Sequence, residues 1–209
     1  MAWVDIPDAD IDADSPITVS LFTALRDNVA AFAAQDSGAP IMLGTLRAVT
    51  MITASTTHIC TAETRATIAF LWGGGGGGGS VNGTSPDHGS GGCAGTMAFS
   101  YAARSGSDSL TATVGAGGAG SGSGNGATGG TTSLTGHTSA SGGVGGIEGA
   151  ISTVFKYDER GESGYGRGGA LSTAAAANTA AGGGGGKTTF SSDIPGGTGG
   201  SGRMLILEF

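Results

Sequence analysis

Seven consecutive glycines, Gly73 through Gly79, follow directly on the apolar run Phe70-Leu71-Trp72, and no other feature so narrows what this chain can become. Glycine loses more backbone freedom on ordering than any other residue. Ordering a backbone costs about 1–2 kcal/mol per residue, so such a run either stays disordered or is held by dense hydrogen bonding and close backbone packing. The question extends well beyond the run itself. Of the 45 glycines in 209 residues, 43 lie between Gly73 and Gly202, and only Gly38 and Gly44 precede them.

The residues between the glycine stretches decide the matter. Strand-like segments rich in Thr, Ile and Val occupy Ile41–Leu46, Val49–Thr53, His58–Thr61 and Ala66–Trp72. Others interrupt the glycine-rich part at Thr96–Ala102, Ser109–Val114, Ala150–Tyr157 and Met204–Phe209. A disordered low-complexity tail would not keep returning to apolar strands. The sequence therefore predicts a mainly β fold, a small β-sandwich from which glycine segments leave and return. Residues 39–209 form this glycine-rich β domain, with the glycine-rich part starting at 73. Lacking side chains, such segments can lie backbone to backbone as polyglycine-II-like helices rising about 3.1 Å per residue, which gives Gly73–Gly79 a span of roughly 22 Å. Gly182–Gly186 is a second run. Gly115–Gly130, interrupted by Ala, Ser, Asn and Thr, and Gly142–Gly149, interrupted by Val, Ile and Glu, are diluted versions.

Residues 1–38 are a different material. Asp5, Asp8, Asp10, Asp12 and Asp14 make an acidic arm. Read as a calcium loop from Asp8, it has Ala13 and Val19 where Gly and Glu are required, so it reads as a solvated docking arm instead. Ser15 is placed to cap a helix with Pro16 in its first turn. Ile17, Leu21, Leu25, Val29 and Phe32, widened by Phe22, recur at helical period up to about Ala34, and Gly38 and Pro40 close the segment. One amphipathic helix cannot bury its stripe alone, so it is expected to dock on the rest of the chain, a copy or another protein.

The net charge of −7 and pI of about 4.7 argue against nucleic acid or anionic lipid as the main partner. The N-terminus lacks the features of a secretory signal and no apolar run approaches a membrane span of about 20 residues, so synthesis in the cytoplasm is expected. A bridge between Cys60 and Cys93 is possible, but two independent buried thiols is the favoured reading.

The strand Phe70-Leu71-Trp72 running into glycines, the segment Leu110-Thr111-Ala112-Thr113-Val114-Gly115-Ala116-Gly117-Gly118-Ala119-Gly120, and the ending Gly199-Gly200-Ser201-Gly202-Arg203-Met204-Leu205-Ile206-Leu207-Glu208-Phe209 together resemble the glycine-rich domain of bacteriophage tail-fibre proteins. Asp10-Ile11-Asp12-Ala13-Asp14-Ser15-Pro16-Ile17-Thr18, with Leu25-Arg26-Asp27-Asn28 behind it, resembles a virion-docking segment of phage tail and fibre proteins. The resemblance implies a virion protein, assembled in the host cytoplasm, that docks on other tail or baseplate proteins by its N-terminus. Trp3, Ile6, Ile11, Ile17, Leu21 and Leu25 are the candidate docking residues. It further implies that the glycine-rich domain meets a host-surface polysaccharide or outer-membrane protein, and a homotrimer is the expected assembly. A purely structural head-fibre or baseplate component without receptor binding is the alternative.

Candidate chemistry is sparse. Ala181 to Thr188 fits a relaxed phosphate-loop pattern, and Gly124-Asn125-Gly126-Ala127-Thr128-Gly129 spells a dinucleotide fingerprint. Neither has the strand before and helix after that would aim backbone N–H groups at a phosphate. His58 and Cys60 project from one face of a strand and could share a ligand, although a half-buried strand face is the simpler role. No nucleophile has an oriented base, so no enzyme activity, cofactor or metal is expected. For binding, the informative residues are large or polar side chains stranded among small ones: Asn82, Asp87 and His88, and then Tyr157, Arg160, Tyr165 and Arg167. Tyr and Arg combine contact area with a polar tip and are common binding anchors.

Overall fold

The apolar run before the glycines becomes a central strand. A computed structural model of the chain describes residues 46–81, 89–149, 172–189 and 192–209. These fall, apart from Leu46 and Phe209, in one compact unit, Arg47–Glu208. The acidic arm, the helix expected at 16–34, and the strands expected at 150–157 and, but for Leu46, at 41–46 lie outside the described residues.

Nine strands are described: β1 Ala48–Ile52, β2 Thr56–Ile59, β3 Ala66–Trp72, β4 Met97–Ala103, β5 Ser109–Thr113, β6 Ser133–Leu134, β7 Lys187–Thr189, β8 Ser192–Ile194 and β9 Arg203–Glu208. No helix is present among the described residues. One sheet has the order β1-β9-β3-β4 and the other β2-β5-β6, both antiparallel throughout. β7 and β8 form a separate hairpin. The last strand of the sequence thus lies between β1 and β3, paired Thr50 to Ile206 on one side and Ala69 to Ile206 on the other.

The period-two alternation of β9, with Met204, Ile206 and Glu208 buried, sends alternate side chains into the space between the sheets. There Ile52, Ala69, Leu71, Met204 and Ile206 of the first sheet meet Cys60, Leu110, Ala112, Leu134 and Ala140 of the second. Fully burying a Leu, Ile or Met contributes about 1.5–3 kcal/mol each, so this small core is a modest anchor. The mainly β sandwich read from the sequence is the fold observed.

Every strand that abuts a glycine stretch hands it the chain in extended form. β3 runs straight into Gly73, β4 is entered from Thr96, and β9 is entered from Gly202. Thr132, fully buried, stitches the junction: its Oγ1 donates to the Trp72 carbonyl at 2.7 Å and accepts from the Gly115 N–H at 3.0 Å.

Candidate functional site at the end of a polyglycine bundle

Gly73–Ser80 is the axis of a hexagonal array of extended segments. Its N–H groups rotate among three neighbours with a period of three residues. Gly73, Gly76 and Gly79 donate to Thr96, Cys93 and Ser90; Gly74, Gly77 and Ser80 to Gly130, Ala127 and Gly124; Gly75 and Gly78 to Gly200 and Gly197. The falling partner numbers show that these three segments run antiparallel to the axis. Three others run parallel and donate to it: Gly118 and Ser121 to Gly75 and Gly78, Gly143, Gly146 and Gly149 to Gly74, Gly77 and Ser80, and Gly183 and Gly186 to Gly76 and Gly79. A three-residue period with backbone groups pointing outward is the geometry of the polyproline-II-type helix.

The surrounding six also bond to one another, closing the ring in the order 89–96, 141–149, 124–130, 115–121, 196–202, 180–186. Representative bonds are Cys93 N to Val144 O at 2.8 Å, Gly129 N to Gly143 O at 2.9 Å, Ala127 N to Ala119 O at 2.9 Å, Gly199 N to Gly118 O at 2.8 Å, Gly200 N to Ala181 O at 2.8 Å, and Gly92 N to Gly183 O at 2.9 Å. Directions alternate around the ring. An eighth segment, 172–176, lies outside against two of these, with Ala175 N donating to Thr198 O at 2.9 Å and Gly184 N to Thr173 O at 3.1 Å.

This packing explains where glycine is compulsory. On the axis, a Cβ at any of Gly73–Gly79 would fall deep inside van der Waals contact with a carbonyl of a parallel neighbour, such as Ala116, Val144 or Gly184. In the parallel ring segments two positions in three face ring neighbours and must be glycine: Gly142, Gly143, Gly145 and Gly146, but not Ser141, Val144 or Ile147. In the antiparallel segments one in three faces the axis: Gly89, Gly92 and Gly95, then Gly126 and Gly129, then Gly196, Gly199 and Gly202. Where the eighth segment adds a neighbour, Gly197 and Gly200 become glycine too. The Ser, Thr and Ala that dilute the glycine stretches mostly occupy the remaining, outward positions. Close approach of backbones, rather than φ, sets the requirement, for only Gly124 and Gly136 among the described glycines have positive φ.

Among the described residues one end of the array is free of the two sheets. The axis emerges there at Ser80 and Val81, beside Ser90, Gly124, Gly149 and Gly186. The chain therefore makes four reversals at that end: from Val81 to Gly89, from Ser121 to Gly124, from Gly149 to Ser172, and through the β7–β8 hairpin. Ser80 ties one of them down, its Oγ donating to the Gly124 carbonyl at 3.0 Å and accepting from the Gly124 N–H at 2.6 Å. The Asn125 side chain accepts from the Glu148 N–H at 2.7 Å, and the Ser90 hydroxyl accepts from the Ile147 N–H at 2.7 Å. Val144 and Ile147, both 65% exposed, form an apolar stripe on the flank.

The candidate binding residues Asn82, Asp87 and His88, and Tyr157, Arg160, Tyr165 and Arg167, lie outside the described residues, as do Trp3, Ile6, Ile11, Ile17, Leu21 and Leu25. The residues that flank the two candidate stretches are described, and both pairs of flanks lie at the same end of the bundle. Sequence reasoning did not find the β7–β8 hairpin, whose Lys187-Thr188-Thr189 carries no apolar alternation.

The phosphate-loop pattern is accounted for differently. Gly182–Gly186 is buried in the array, Gly183 and Gly186 donate to the axis and Gly184 to Thr173, and a strand follows at Lys187. The fingerprint at Gly124–Gly129 is likewise a ring segment.

A second polar cluster sits between the sheets. Glu208, 1% exposed, accepts from Thr64 Oγ1 at 2.6 Å and the Thr61 N–H at 2.8 Å through Oε2, and pairs with His58 Nε2 at 2.9 Å through Oε1. Burial alone would raise this carboxyl, but the bonds from Thr64, Thr61 and His58 outweigh it and hold it below its ordinary value. Cys60 completes a set whose ligand atoms lie within 4.8 Å of one another. The thiol is pushed up, chiefly by burial and then by the Glu208 charge. A divalent cation would have to displace the His58–Glu208 bond, so the arrangement works as a polar clip from β9 of one sheet to β2 and the turn after it. Both cysteines are free thiols, and only Cys60 is buried; Cys93 sits on an outward position of its segment and is exposed, contrary to the expectation of two buried thiols.

His137 was not singled out by spacing. Its ring bridges Thr67 Oγ1 at 2.9 Å and Ser100 Oγ at 2.8 Å, and burial, aided by the Arg104 guanidinium, lowers its pKa to about 4.

The family profile of a glycine-rich domain matches residues 51–157, which take in strands β2 to β6, the axis and four of the six ring segments. The chain belongs to this glycine-rich domain family. No curated protein matches it significantly. In this glycine-rich domain glycine is thus a packing requirement, at every position of the axis, two in three of the parallel segments and one in three of the antiparallel ones, and the termini of the packed segments converge on one end.

Proposed function

We propose that the chain is a bacteriophage virion protein, a tail-fibre or tip adhesin, that docks on the tail through residues 1–38 and recognises the host surface with the loops at the free end of its polyglycine bundle. The observation that carries the reading is the convergence of four chain reversals on one end of a bundle held by backbone bonds. Loops anchored at both ends on a rigid body suit recognition, because little conformational freedom is lost on binding. The stretches 82–88 and 150–171 hold the concentration of Tyr, Arg, Asp and His that the bundle itself lacks. The resemblance of 10–18 to a virion-docking segment supplies the other half of the reading. A host polysaccharide or outer-membrane protein is the expected receptor class, and recognition needs no catalysis.

Labelled full-length chain should bind cells of the bacterium that its particles infect. Replacing Tyr157, Tyr165 and Arg167 together with Ala should lower that binding at least tenfold while leaving thermal melting unchanged. Equal binding by this variant, or absence of cell binding by the native chain, would favour the head-fibre or baseplate role without a receptor.

A further inference from the structure

The outer face of the larger sheet is unusually apolar. Cross-strand register places Val49, Leu207, Ile68 and Tyr101 in one row and Met51, Leu205, Phe70 and Phe99 in the next. Arg203, Trp72 and Met97 make a third, with the Arg203 guanidinium 5.3 Å from the Trp72 ring. Phe70 lies 5.0 Å from Phe99 and 6.4 Å from Trp72. Val49, Met51, Met97, Phe99 and Tyr101 are 43–59% exposed, and Leu205, Leu207, Ile68 and Phe70 are half-buried.

We propose that this face is the interface through which the chain associates with a second copy of itself, sheet against sheet. Patches above a few hundred Å² are uncommon on monomers and mark interaction surfaces. Five large side chains about half exposed, at roughly 150–250 Å² apiece for aromatics, and four partly exposed ones offer on the order of 600–800 Å². That approaches the roughly 800 Å² per partner of a stable complex. The composition selects a copy over an unrelated partner. Two rows of four carry no ionisable group but the Tyr101 phenol, and the third has one cation over an aromatic ring. Interfaces between identical subunits are the more apolar class, resembling a core cut in half. Two such faces can stack about 10 Å apart, as sandwich sheets do. Phe70 and Leu205 are at the centre of the patch and so nearest the axis relating the copies.

The proposal stands apart from the receptor reading, since the face is on the sandwich and not on the bundle's free end. Sedimentation of the full chain at micromolar concentration should give a multiple of 19.9 kDa. Met51→Lys with Phe99→Lys should shift it to the monomer, whereas Thr57→Lys on the other sheet should not. A copy joined through this face should also be captured covalently. In a Cys93→Ser background, Leu205→Cys chains should crosslink to one another with a short bis-maleimide. A native monomer, or an oligomer whose Leu205→Cys chains stay uncrosslinked, would overturn the proposal and return the face to the chain's own N-terminal segment or to another virion protein. The crosslink reads the folded native-like chain, so it holds even if the lysine pair disrupts folding.

Discussion

A single methyl group on the bundle axis tests the packing scheme. In Gly77→Ala the new Cβ would lie 2.0 Å from the Ala119 carbonyl oxygen and 2.7 Å from the Gly120 nitrogen, whereas real Cβ atoms essentially never approach closer than 3.0 Å. Segment 115–121 must therefore retreat by about an ångström (3.0 minus 2.0). Both groups in the way are backbone, so no side chain can swing aside. The retreat stretches Gly118 N to Gly75 O, now 2.8 Å, and Ser121 N to Gly78 O, now 3.0 Å, beyond hydrogen-bonding range. Two lost bonds at about 1 kcal/mol each, and overpacking strain of about 1–3 kcal/mol, total roughly 4 kcal/mol. For a chain of this size that lowers Tm by roughly 8–16 °C. Gly122→Ala is the control, since nothing lies within 4 Å of its added Cβ. Its expected effect is neutral to about 1 kcal/mol stabilising, through the unfolded chain. Melting followed by circular dichroism reads both. If Gly77→Ala melts within a degree or two of the native chain, the axis is not close-packed and the account of glycine placement fails.

Other consequences are checked the same way. Thr132→Val keeps the shape but removes the hydroxyl that joins Trp72 to Gly115, leaving the buried Gly115 N–H without its acceptor; a loss of about 1–3 kcal/mol should appear in urea titration. Stability should fall between pH 6.5 and pH 4 in a way that His137→Gln largely removes. The folded-state pKa of about 4 lies below the unfolded value, so the unfolded chain binds the extra proton in that window and the contribution is complete only above it. Discounted for the ring's partial exposure, the term is on the order of 1–2 kcal/mol. Glu208→Ala strands the Thr61 N–H, Thr64 and His58 between the sheets and should cost about 3–5 kcal/mol by chemical denaturation.

The sheets were legible because burial writes a period of two into the sequence. β3 was placed to the residue, β4, β5 and β9 within one, for Leu71, Leu110 and Met204 sit where apolar alternation demands. β6 and the β7–β8 hairpin were not, since Ser133-Leu134 is too short to show a period and Lys187-Thr188-Thr189 has no apolar side to show. The glycine runs announced close packing. The hexagonal order needed coordinates, because the difference between Gly-Gly-Val at 142–144 and Gly-Cys-Ala at 92–94 reports the direction of a segment relative to an axis that the sequence does not name. Candidate loop residues could be chosen by chemistry alone; that the chain leaves and re-enters the bundle at one end for both stretches follows from bonds made by Ser80, Ser90, Gly149 and Ser172, which spacing cannot reveal.

The three-residue repeat also restricts how such a chain can change in length. Adding one residue to a segment turns everything beyond it by about a third of a revolution, swinging Val144-like side chains onto faces reserved for hydrogen alone. Adding three restores every face but slides the segment about 9 Å along its neighbours, beyond their ends unless they lengthen with it. Insertions and deletions within the array should therefore come as triplets and in concert. The four reversals are exempt, so variation in length, like variation in sequence, is channelled into the loops.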